Sequence, residues 1–352
     1  MNKNVFCVEK NIETKSFNKF FRIVEIIRLE KRTTDEFSIL PMLKAVTKRD
    51  EYVILDKINK RNIFVFNRNG KFIGKIGEYG RGVAKFIYPH TLVYSRKEDN
   101  YYVYDSDTGE IIIYNKNMDF LRRFAINFFM DSFVILRNNK LCCYSSSRPY
   151  PATKRNRNKN KKNIHIIDME GKIIKQFGDQ SKYYYDLTCC EGGGVIILNN
   201  KIYNINPYEY TVNVYNQKYK KIKTENFKTP YYTPPPERGK IKKGHEDDMK
   251  FLNEFHSRWS HIRQLLKINN NLIGVFYEKE NTENHKIIGC LDIINNDLTP
   301  HLMGIIIPPQ IGGILFENNN LYLLRRLVIE GKNEFKIRYT IEHYKYIKND
   351  VE

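Results

Sequence analysis

The side chains best suited to chemistry in this chain are its eight histidines and six cysteines, and their spacing decides what they can do. His245, His256 and His261 share one segment, whereas His90, His165, His285, His301 and His343 are dispersed. A zinc-binding HExxH motif sets two imidazoles four residues apart on one helix face. His256 and His261 are five apart, about 140° round a helix, which suits one metal poorly. Neither HExxH nor a Gly-x-Ser-x-Gly nucleophile elbow occurs, so local motifs support neither a zinc nor a serine hydrolase. The cysteines include two vicinal pairs, Cys142-Cys143 and Cys189-Cys190. Neighbours in a strand point to opposite faces, so neither pair makes a CxxC site, and both read as small buried hydrophobes. The six are too sparse for a disulfide scaffold.

Two further stretches imitate ligand loops. Asp105-Ser-Asp-Thr-Gly109 resembles the start of a calcium loop, but the position eleven residues beyond Asp105, where an EF-hand needs a carboxylate, is Lys116. A strand-to-strand turn in which Asp105 accepts backbone N–H groups is the better account. Gly74, Gly77, Gly80 and Gly82 invite a phosphate-loop reading, yet no Lys-Ser or Lys-Thr follows and no helix begins there. No cofactor and no metal are expected from these patterns.

Of the whole chain 41% is hydrophobic and 13% aromatic, with 25 Tyr and 21 Phe against one Trp. That supports a sizeable core built from strands rather than helices. No run approaches the roughly 18 apolar residues of a membrane span. The formal charge of +19 raises a polyanion partner. The densest basic run, Lys154 to Lys162, alternates with Asn and reads as a solvated loop; Lys and Asn recur along the whole chain, so nucleic acid is disfavoured. The start, Met1 to Cys7, lacks the apolar core of a signal peptide, so the chain is expected to be cytoplasmic or to have lost its leader.

Internal repetition carries the fold. Tyr52–Asp56, Asn62–Phe66, an Asn67-Arg-Asn-Gly70 turn and Lys71–Gly77 recur as Tyr101–Asp105, Glu110–Tyr114, Asn115–Met118 and Asp119–Phe124, with Asp56 and Asp105 49 residues apart. Four looser copies open at Leu141, Gly194, Asn271 and Asn320. A repeat of about 50 residues with three short strands implies propeller blades, because one small sheet cannot bury both faces alone. The expected fold is an all-β six-bladed β-propeller spanning 21–348 as one domain, after an N-terminal extension 1–20. Strand-like Phe21–Leu29 and Phe37–Val46 are expected to complete the last blade and leave no open edge.

Asn69-Gly-Lys-Phe-Ile-Gly-Lys-Ile-Gly-Glu-Tyr-Gly-Arg-Gly82, followed by Phe86 and Pro89 and then Tyr101-Tyr-Val-Tyr-Asp-Ser-Asp107, resembles NHL-repeat-like six-bladed propellers. With Ile27-Arg-Leu-Glu30 before the first blade, it is most similar to a bacterial envelope subgroup, and the likeness covers roughly residues 20 to 345. The family continues Gly-Arg-Gly with Pro-Gly-Glu, where this chain has Val83-Ala84-Lys85. The resemblance implies a cell-envelope or periplasmic location, and a ligand-facing role for Tyr79, Arg81 and His90 near a central opening.

An insertion at 229–267 separates the fourth and fifth blades. Thr229 to Glu237 is proline-rich and extended, and Asp247–Lys267 is expected to be a helix, with Leu252, Phe255, Trp259, Ile262 and Leu266 on one stripe. Such a helix packs on the flank, or acts as a lid presenting His256, Trp259, His261 and Arg263. The function expected is a non-enzymatic module for a protein, small-molecule or glycan ligand, acting as a monomer. The alternative is a metal-assisted propeller hydrolase, lactonase or lyase with inward Asp, Asn, Glu or His.

Overall fold

The computed structural model describes residues 15–34, 37, 41–57, 61–146, 162–179, 192–229, 231–235, 258–280, 287–309, 311–330 and 335–347. These residues form six four-stranded antiparallel sheets and one two-stranded pair. Six such sheets in succession make this an all-β, six-bladed β-propeller. The chain divides into two compact units, 1–76 with 306–352, and 77–305.

The first unit holds blades 1 and 6. Blade 1 comprises Met42–Val46, Tyr52–Asp56, Asn62–Phe66 and Phe72–Lys75. Blade 6 comprises Ile311–Glu317, Asn320–Glu330, Phe335–Tyr346 and, as its outermost strand, the N-terminal Phe21–Arg28. Phe21 pairs with Tyr346 and Arg28 with Thr340, so the two ends of the chain close one sheet. Of the two N-terminal strands expected in this blade, only Phe21–Arg28 belongs to it; Met42–Val46 is instead the inner strand of blade 1. Ile27, Tyr52, Ile54, Phe64, Phe66, Leu324 and Ile341 form the core between the two blades. Ahead of the closing strand, Lys15–Phe20 is a short helix whose Phe17 stacks on Phe21 at 4.8 Å and meets the Tyr344 ring edge-on at 5.0 Å.

The second unit holds blades 2 to 5. Blade 2 is Pro89–Ser95, Asn100–Asp105, Glu110–Tyr114 and Phe120–Ala125; blade 3 is Ser132–Ile135, Leu141–Tyr144, Ile164–Ile167 and Ile173–Phe177. Blade 4 is Gly194–Leu198, Lys201–Asn206, Glu209–Tyr215 and Lys221–Asn226, and blade 5 is His261–Lys267, Leu272–Glu280, Ile287–Asn295 and Pro300–Ile306. The middle strands are buried on both faces, as in Tyr101–Asp105 and Ile111–Tyr114, because each blade is covered on either side. That two-sided burial demands continuous apolar runs of Ile, Val and Tyr, which made these strands conspicuous in the sequence. Separate cores fill the spaces between blades 2 and 3, 3 and 4, and 4 and 5.

The last turns of blades 1 to 4 share one device. The side-chain oxygens of Asn67, Asn115, Asp168 and Asn216 each accept the N–H groups two and four residues on, at 2.8–3.1 Å. The residue three further on takes a left-handed backbone: Gly70, Met118, Gly171 and Tyr219, with φ of 78°, 72°, 85° and 60°. The Asn67-Arg-Asn-Gly70 and Asn115-Lys-Asn-Met118 segments of the sequence repeat are this turn.

The expected helix over 247–267 is not what the chain forms at its C-terminal part. Residues 261–267 are the inner strand of blade 5, while 247–257 lie outside the described residues. A β-bulge between Ile262 and Gln264 explains the error. It inserts a residue into the alternation, so buried pairs recur four apart, at 261 and 262 and again at 265 and 266. That spacing mimics a helical stripe.

Candidate functional site

The unit of blades 2 to 5 carries a cluster of polar side chains where several strands of blades 3, 4 and 5 begin or end. Tyr144 closes the second strand of blade 3, and its hydroxyl donates to Asn206 Oδ1 of blade 4 at 3.2 Å. The same oxygen receives Asn163 Nδ2 at 2.8 Å, and Asn163 also donates to the Asp179 carbonyl at 3.0 Å. Tyr144, Asn163 and Asn206 are all buried. Two half-buried carboxylates flank them. Asp131 donates its N–H to the Tyr144 carbonyl and accepts Ser146 N–H at 2.5 Å, while Glu209 accepts from Asn206 Nδ2 and Thr211 Oγ1, each at 3.5 Å. The side-chain network therefore spans two blades and reaches the half-buried Glu209 through Asn206, while Asp131 is joined to it by its backbone alone.

Blade 5 joins through its backbone. Ile262 N–H donates to the Pro207 carbonyl at 2.8 Å and its carbonyl accepts Gly193 N–H at 2.9 Å. His261 stacks face to face on Tyr208 at 4.9 Å, an interplanar angle of 14°. Gly192 passes so close that a Cβ would lie 2.2 Å from the Ile262 carbonyl and 2.7 Å from His261 Nε2. Only glycine permits this approach.

The electrostatics hold the buried hydroxyl and thiols in their protonated forms. Burial and the nearby charges of Asp131 and Glu209 hold the Tyr144 hydroxyl well above its usual pKa, so it remains a neutral donor. Burial pushes the Cys142 and Cys143 thiols up, and Cys290 up to about 12, so none is a thiolate at neutral pH. Burial lowers His165 to about 4. Its ring, stacked on Phe128 at 4.2 Å and hydrogen-bonded to Gln176 at 3.0 Å, is a neutral packing element. Among the described residues no three His, Cys, Asp or Glu side chains gather as a metal site would require.

Of the residues singled out from the sequence, His261 alone joins this cluster. Tyr79 and Arg81 are exposed on a loop lying over the two outer strands of blade 2. That loop is fixed by a short parallel pairing of Glu78–Tyr79 with Lys85–Phe86, by Arg123 Nη1 on the Gly82 carbonyl at 2.8 Å and by the Tyr114 hydroxyl on the Ala84 carbonyl at 3.0 Å. His90 is buried among Phe129, Tyr104 and Tyr88. Arg263 is exposed and paired with Glu278 at 2.5 Å, Trp259 is half-buried, and His256 lies outside the described residues. Asp131, Tyr144, Asn163, Asn206 and Glu209 escaped the sequence reading. Asn206 ends the second strand of blade 4 as Asp56 and Asp105 end those of blades 1 and 2, so extending that recurrence would have found it.

The fold defines the class, a six-bladed propeller. Residues 3–310 match the family described as a domain of unknown function (DUF4934), and the chain belongs to that family. No curated protein sequence matches it significantly. Among solved structures it is similar to a Bacteroides fragilis NCTC 9343 protein predicted to be exported, with a TM-score of 0.66, 13% identity and coverage of 92% of this chain and 95% of that one. A DUF4221-family member from Bacteroides vulgatus ATCC 8482 gives 0.64, 9% identity and coverage of 93% and 99%. A gluconolactonase from Xanthomonas campestris gives 0.52, 8% identity and coverage of 92% and 95%. At these identities the likeness is one of fold. No helix among the described residues is long and apolar enough to cross a membrane.

Proposed function

We propose that this protein is a binding module that recognises a hydrogen-bond-donating ligand, a glycan or a protein segment, at the polar end of blades 3 to 5. The observation that carries the reading is the buried Tyr144–Asn206–Asn163 network, which orders the half-buried Glu209 through Asn206 Nδ2, with Asp131 beside it on the Tyr144 backbone and its carboxylate on Ser146 N–H. Buried, mutually satisfied amides and hydroxyls give rigidity, and a rigid rim lowers the ordering cost of binding. Catalysis is the weaker reading, because neither the Tyr144 hydroxyl nor the buried thiols are activated. An NHL-like binding propeller of the cell envelope fits this reading, supported by the similarity to a Bacteroides protein predicted to be exported.

The test is a thermal-shift screen of neutral oligosaccharides, with a phage-displayed peptide library run in parallel. Both use the wild type and the double variant Asp131→Asn with Glu209→Gln. Ligands that bind the wild type and lose affinity at least tenfold in the variant support the site. Hits that bind both proteins equally place recognition elsewhere, and turnover of a hit sinks the non-enzymatic reading.

A further inference from the structure

The outermost strand of blade 6 differs from its counterparts in what it exposes. In Phe21-Arg-Ile-Val-Glu-Ile-Ile-Arg28 all five residues from Arg22 to Ile26 are exposed, including Ile23 at 45% and Val24 and Ile26 at 55% each. An edge strand with exposed β-branched residues is a template for another strand. The outer strands of blades 1 to 4 expose one large apolar side chain each, Ile73, Leu121, Ile174 and Ile222.

The register of this strand makes it complementary to itself. A β-bulge between Ile23 and Glu25 takes Val24 out of the ladder, leaving Arg22 opposite Lys345 and Glu25 opposite His343. Without the bulge Arg22 and Glu25 would stand on opposite faces; with it they share one face, two ladder positions apart, with Ile23 between them on the other. Ile347 N–H donates to the Phe20 carbonyl and Leu29 N–H to the Tyr339 carbonyl. Antiparallel alternation from those two anchors points the N–H and C=O groups of Phe21, Ile23 and Ile26 outward, away from the blade.

We propose that two copies of this chain join edge to edge through this strand, antiparallel about a two-fold axis at Ile23, in place of the monomer expected from the sequence. Ile23 then faces Ile23 of the second copy as a hydrogen-bonded pair, and Phe21 faces Ile26 in the same way. Arg22 faces Glu25 twice, at positions where side chains lie closest. Each Glu25 also relieves the like-charge pairing of Arg22 with Lys345 on the receiving sheet. The contact is isologous, as a closed dimer requires, and extends two four-stranded blades into one eight-stranded sheet.

Sedimentation equilibrium of the full chain tests this, since an interface of this size is weak and concentration-dependent. The wild type should dimerise, Arg22→Glu and Glu25→Arg should each weaken the dimer at least about tenfold, and the double variant carrying both should restore it. Ile23→Cys should give an oxidised dimer absent from the wild type, because a hydrogen-bonded antiparallel pair sets the two Cα atoms about 5.5 Å apart, within disulfide reach. Unchanged melting temperatures keep folding out of the comparison. A wild type that stays monomeric up to about 1 mM overturns the proposal, as does a dimer indifferent to both single reversals or a double reversal that folds but does not associate.

Discussion

Asp105 and Asn206 close the second strands of blades 2 and 4, yet they spend their hydrogen-bonding capacity differently. Asp105 is fully buried and accepts three backbone N–H groups, from Ile87 at 2.8 Å, Tyr88 at 2.9 Å and Asp107 at 3.0 Å. It ties the incoming connection to its own blade, as a strand-to-strand turn demands. Asn206 bonds only side chains, Tyr144, Asn163 and Glu209, and so reaches sideways into blade 3. One position thus serves as a staple in blade 2 and as the hub of a polar cluster in blade 4. A carboxylate satisfied by backbone has nothing left to offer a ligand, whereas an amide linking side chains passes its order to groups at the surface.

The largest expected effect tests that contrast. Asp105→Ala strands three N–H groups next to a fully buried position and should cost about 3–5 kcal/mol, read by urea unfolding. Asn206→Ala should cost less, about 2 kcal/mol, because water can enter beside the half-buried Glu209. The ligand-rim reading adds an asymmetry. Asp105→Asn should leave binding of any ligand found by the screen unchanged, whereas Asn206→Ala should weaken it. Equal losses of stability, or weakened binding in both variants, would break the comparison.

How much of this was legible in the sequence follows from which residues bear period and which bear direction. The six blades were readable because two-sided burial forces unbroken apolar runs such as Tyr52–Asp56 and Glu110–Tyr114, punctuated by Asn-led turns. Inner strands such as Pro89–Ser95 and His261–Lys267 were missed or misread, since a bulge or a mixed polar face destroys simple alternation. The cluster was mostly invisible. Tyr144, Asn163 and Asn206 lie up to 62 residues apart and share no motif. They meet because successive blades repeat the same turn of chain, and only the recurrence ending at Asp56 and Asp105 hinted at such a position. His261 was found for its chemistry, but in the setting of a helix that is a strand.

Asp292 in blade 5 sharpens the comparison by offering a third way to treat a buried acid. It is as buried as Asp105, but only one backbone N–H, from Gly304 at 2.5 Å, reaches it, with the hydroxyls of Tyr210, at 2.6 Å, and of Thr229 and Tyr277 around it. Burial therefore outweighs its hydrogen bonds and raises its pKa. The folded state holds that proton more tightly than the unfolded chain does. The site's contribution is then fully present below the ordinary carboxylate range and is lost as pH climbs from about 4 through the raised folded value. Asp292→Asn keeps an acceptor for Gly304 and an amide toward Tyr210 while removing the ionisation. Its melting temperature relative to wild type should accordingly rise between pH 4 and pH 7, by the equivalent of about 1 kcal/mol for each unit by which the acid is raised. A difference that stays flat across that range would mean that the hydrogen bonds from Tyr210, Gly304, Thr229 and Tyr277 offset the cost of burying the charge.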